Sequence, residues 1–82
     1  MRLIRNIPHE LYQISIFEWN NKFIIKIESG PYEQSYKIDS MELDESSLSS
    51  LINNNFMNTV THRFHHMHLD FMQALENHED AG

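Results

Sequence analysis

QISIFEWNNKFIIKIE, residues 13–28, is the stretch whose reading decides the fold. Tyr12, Ile14 and Ile16 alternate with Gln13 and Ser15, and Ile25 and Ile27 with Lys26 and Glu28, which is the two-residue period of half-buried strands. Between the two runs stand Asn20 and Asn21, and asparagine tolerates the positive φ angles that a two-residue hairpin loop demands. Folding about that pair sets Ile16 opposite Ile25 and Ile14 opposite Ile27, with Ser15 opposite Lys26 and Gln13 opposite Glu28. Apolar meets apolar on one face. A slip of one residue would turn either strand's isoleucines to water, so the register is tightly specified.

Downstream, Ser29, Gly30 and Pro31 end the second strand, and residues 32–38 alternate again, with Tyr36 and Ile38 on one face and Glu33, Ser35 and Lys37 on the other. A hairpin closed at Gly30 and Pro31 sets Tyr36 across from Ile25 and Ile38 across from Phe23. Upstream, residues 2–7, ended by Pro8, offer a short fourth strand. The expectation is an antiparallel meander of three to four strands. Phe17, Trp19 and Ile24 depart from it, because they fall on the face opposite the core, close together if Phe17 pairs with Ile24. Either the N-terminal segment or a curled tip covers them, or they are scattered exposed apolar residues, or they form a partner-binding patch of the kind in which Trp and Phe are enriched.

Near residue 40 the period changes from two to alternating steps of three and four. Asp44 precedes Glu45, Ser46 and Ser47 and then Leu48, Leu51 and Ile52, the pattern of an N-capped short helix ending in the run Asn53, Asn54, Asn55. Asn55 is the expected cap of a second helix over residues 56–78, in which Met57, Val60, Phe64, Met67, Phe71 and Ala74 form an apolar seam. Such a helix is roughly 34 Å long at 1.5 Å per residue, against ~23 Å for the strands, so part of it should overhang the sheet. Either the short helix and the meander cover the whole seam, or a second copy of the helix covers the rest across a two-fold axis. The fold class is therefore α+β, with the sheet on one side and a short and a long C-terminal helix on one of its faces.

The chain has 82 residues, of which 40% are hydrophobic, enough for one core and one domain. Within it, 1–40 is the meander, 41–78 the helical half and 77–82 a frayed tail. Having no cysteine excludes disulfides and thiolate metal sites. Residues 1–40 balance Arg2, Arg5, Lys22, Lys26 and Lys37 against Glu10, Glu18, Glu28, Glu33 and Asp39, so the net charge of −6 belongs to the helical half. That half sets only Arg63 against Glu42, Asp44, Glu45, Asp70, Glu76, Glu79 and Asp80. Phosphate backbones and anionic membrane surfaces are disfavoured as partners, and no apolar run approaches the ~20 residues of a membrane span. The opening residues lack the apolar stretch of a signal peptide, which makes a cytoplasmic location the expectation.

His62, Arg63, Phe64, His65, His66, Met67 and His68 form the densest run of candidate ligands. His62, His66 and Asp70 follow one another at four-residue steps away from the seam, and two histidines so spaced can share a divalent ion such as zinc. Arg63 stands where a zinc protease needs its general-base Glu, and a cation there opposes metal binding. The same three residues also suit an ordinary solvated helix face. His68, at the edge of the seam, fits a hydrogen-bonded histidine or a titrating one. With only Gly30 and Gly82, neither a phosphate-cradling loop nor a nucleophile elbow can form. Two functions compete: a protein-protein interaction or homo-oligomerisation module without cofactor, and a divalent-metal-binding or histidine-dependent catalytic domain built on His62, His66 and Asp70.

Overall fold

Asn20 and Asn21 take φ angles of 52° and 61°, and this left-handed pair closes the hairpin between β2 (Gln13–Trp19) and β3 (Lys22–Ser29). The computed structural model describes residues 1–81, with side chains through residue 78. Ile14 faces Ile27, Ile16 faces Ile25 and Phe17 faces Ile24, the register that the alternation predicts. Gly30, at φ 58°, and Pro31 form the next loop, after which β4 (Tyr32–Asp39) pairs with β3 so that Ile25 meets Tyr36 and Phe23 meets Ile38. The sheet is a four-stranded antiparallel meander in the order β1-β2-β3-β4.

The fourth strand is β1 (Arg2–Ile7), which lies at the edge against β2 and is not regular. Its register shifts between Leu3, paired with Phe17, and Arg5, paired with Ile16. Ile4 and Ile7 are three residues apart and would face opposite sides of a regular strand. The extra residue at the shift lets both pack against the core. Arg5 sits on that side as well, donating from Nη2 to the Glu45 carbonyl at 2.9 Å and so tying the sheet edge to the first helical turn.

Asp44 starts the helical half as expected. Its carboxylate accepts from the Ser47 amide at 3.1 Å and from the Ser46 and Ser47 hydroxyls at 3.1 and 2.6 Å. The expected short helix is a 3-10 turn (Glu45–Ser47) running into a single α-helical turn, α1 (Leu48–Leu51). The long helix, α2 (Asn54–Ala81), begins earlier than predicted. Asn53, rather than Asn55, caps it, with Oδ1 accepting from the Phe56 amide at 2.9 Å. Three consecutive asparagines offer equivalent caps, and with Asn53 as the cap Met57 and Val60 lie in the core. The helix continues to Ala81, and the expected frayed tail, 77–82, lies partly outside the described residues.

Ile14, Ile16, Phe23, Ile25 and Ile27 from the sheet, Leu48 from α1, and Met57, Val60 and Phe64 from α2 form one core. Gln34 occupies a core-facing position of β4 and is buried with them. Its Nε2 donates to the Val60 carbonyl at 3.0 Å while its Oε1 accepts from the Tyr36 hydroxyl, so every polar atom it brings inside is used. Tyr12 adds a second tie, its hydroxyl hydrogen-bonded to Thr61 Oγ1 at 2.7 Å and its ring 5.2 Å from that of Phe64. Both ties hold α2 by its first half.

Candidate interaction surface

At 1.5 Å per residue the 28 residues of α2 span about 42 Å, most of the molecule's 49 Å long axis, whereas the 8 residues of β4 span roughly 26 Å. The helix must outrun the sheet. Its last foothold is Tyr32, at the start of β4. The Tyr32 hydroxyl is hydrogen-bonded to His68 Nδ1 at 2.9 Å, and its ring meets those of His68 and Phe71 edge-on at 5.8 and 6.2 Å. Beyond Phe71, every side chain from Met72 to His78 is exposed.

The consequence is an apolar face without cover. Leu69, Phe71, Met72 and Leu75 are 50, 47, 41 and 45% exposed, while Val60 and Phe64, earlier on the same helix, are 0 and 6% exposed. Accessible surface left by the four distal side chains is on the order of 300–400 Å². That is the size of the largest apolar patch on an ordinary monomer, and such patches are commonly functional. Of the four, only Phe71 belongs to the 3-4 seam that the sequence signals, and Leu69, Met72 and Leu75 lie off it and widen the patch.

Phe17, Trp19 and Ile24 share the outer face of the sheet with Leu3, which is drawn beside Phe17 by the pairing of β1. They do not form one exposed patch. Ile24 is only 8% exposed, walled by its cross-strand neighbours Phe17 and Lys37, so it offers little surface of its own. Phe17 is partly covered, and Trp19 and Leu3, at 51 and 50%, carry the exposure. The rest of the outer face is polar: Lys26 bridges Glu28 at 3.1 Å and Glu33 at 3.2 Å. Hydrogen bonds to Glu28 and then Glu33, with their charges, hold the ammonium of Lys26 above the usual lysine range.

The histidine stripe divides on the helix. His62 and His66 stack with ring centroids 6.1 Å apart, and His62 borders a surface hollow with Asn58, Thr61 and His65. Asp70 borders a different one, with Pro31, Tyr32, Met67 and Phe71. Each four-residue step advances about 40° around the helix, so two steps carry Asp70 roughly 80° from His62. Among the described residues no three histidine, aspartate or glutamate side chains converge to hold a metal ion. None of the helices in the described residues is long and apolar enough to cross a membrane.

One further opening lies between the sheet and the start of α2, a cavity of about 240 Å³ lined by Ile25, Tyr36, Lys37, Ile38, Leu51 and Phe56. It falls below the ~300–1,000 Å³ of typical small-molecule sites. In comparisons with known proteins, no family model, curated protein or solved structure gives a significant match to this chain.

Proposed function

We propose that this chain is a protein-protein interaction module that associates with itself, using the distal half of α2 as its contact surface. One observation carries the reading: Leu69, Phe71, Met72 and Leu75 stay 41–50% exposed on a helix whose first half is sealed against the sheet. Burying such a face is favourable by about 25 cal/mol per Å² of apolar surface, before the cost of association is set against it. Among the described residues the core holds nine buried hydrophobic side chains, and chains of this size often draw stability from a partner subunit. Trp19 and Leu3 form a smaller second apolar area on the outer sheet face, where a foreign protein could dock without competing for α2.

Sedimentation equilibrium over a concentration series tests the reading. The native chain should show a dimer mass that returns to monomer in Met72→Lys, with far-ultraviolet circular dichroism unchanged in the variant. Trp19→Ala should leave the native mass unaltered. A native chain that is monomeric at every concentration refutes self-association. Repeating the measurement with zinc addresses the divalent-metal function, which requires a zinc-dependent change that the His62→Gln, His66→Gln double variant loses.

A further inference from the structure

The distal half of α2 is complementary to a second copy in one direction only. On its exposed face His65, His68, Met72 and Leu75 follow at steps of three, four and three, with Leu69 and Glu76 alongside. This stripe lies roughly a quarter of a turn around the helix from the seam that rests on the sheet. The two sheets would therefore flank a helix pair instead of blocking it. We propose that a second copy of this chain docks here antiparallel, about a two-fold axis at Met72, an inference that rests on the self-association reading above.

In that register the two Met72 side chains meet at the axis, Leu69 lies level with the partner's Leu75, and His68 lies level with the partner's Glu76. Apolar residues fill the centre, and a histidine faces a carboxylate on each side of it. His68 is suited to this, because Nδ1 is engaged by the Tyr32 hydroxyl at 2.9 Å while Nε2 has no partner among the described residues. A parallel pair would set Glu76 against the partner's Glu76 and His68 against the partner's His68, like against like at both ends. It would also align the two helix dipoles. Leu69, Met72 and Leu75 leave roughly 250 Å² of apolar surface on each copy, and with their polar flanks His65, His68 and Glu76 the two copies come to roughly 1,000 Å² buried, the lower bound for a specific interface.

The absence of cysteine makes cross-linking clean. Leu69→Cys and Leu75→Cys chains, distinguishable by a tag, are treated with a short bis-maleimide separately and as a mixture, beside the native mass. The antiparallel pair predicts that the mixture yields several-fold more covalent dimer than either variant alone. It also predicts that Glu76→Gln raises the dissociation constant several-fold, whereas a parallel pair would tighten. Stronger cross-linking of each variant with itself, or a dimer mass with no cross-link in any sample, overturns the antiparallel pairing and leaves self-association standing. A native chain that remains monomeric removes both.

Discussion

The two halves of α2 are written in the same code and meet different fates. From Met57 to Met67 the steps of three and four put apolar side chains under the sheet, and from Phe71 to Ala74 the same steps carry them to its edge and past it. Nothing in the residue types separates the halves: Phe64 is 6% exposed and Phe71 47%. The difference is the reach of the sheet, whose last contribution is the Tyr32 ring against His68 and Phe71. Hydrophobic spacing thus reports that a helix face must be covered, without saying by what.

The sharpest break in that comparison comes from matched truncations. Phe64→Ala should cost about 3–5 kcal/mol in urea unfolding, since it opens a cavity in the core, and Leu75→Ala should cost about 0.5 kcal/mol or less in dilute solution. Comparable losses would mean that the distal half is covered within the monomer. Gln34 probes the proximal anchor. Gln34→Ala leaves the part-buried Tyr36 hydroxyl without its acceptor and the buried Val60 carbonyl without its extra donor, and should cost about 1–3 kcal/mol while the dimer mass persists.

Asp44 gives a smaller effect, confined to the proximal side. Hydrogen bonds from the hydroxyls of Ser47 and Ser46 and from the Ser47 amide hold its carboxyl below the usual aspartate range. Because the folded-state value is the lower one, the stabilisation is complete above about pH 4, where unfolded aspartate is also ionised, and is lost as pH falls through the folded-state value. The melting temperature of Asp44→Ala should therefore lie below that of the native chain at pH 6 and converge on it in stronger acid. A constant difference across that range would show that the cap does not act through its charge. The smallest effect is expected on the polar face of α2. Replacing His62 and His66 by Gln should change stability by less than about 0.5 kcal/mol, and a larger loss by thermal unfolding would give that face a role in the fold.

A local period or a local cap is legible in the order of residues alone. Alternation fixed the register of β2 on β3 and of β3 on β4, because a slip of one residue would expose every isoleucine at once. Asn20 and Asn21 announced their turn, and Asp44 its cap, through chemistry that acts within three residues. Tertiary structure decided everything that depends on a distant surface. The register shift that brings Ile4 to the core, the burial of Gln34 beneath α2 and that of Ile24 between its cross-strand neighbours all answer to residues distant along the chain. The separation of Asp70 from His62 is local by contrast, since the mismatch between four residues and a 3.6-residue turn accumulates along the helix itself. The exposed end of α2 belongs with what tertiary structure decided. Its apolar spacing is local, but whether water or protein meets it depends on strand length against helix length, 3.3 Å against 1.5 Å per residue, and that ratio leaves about 15 Å of helix beyond Phe71 without a sheet to rest on.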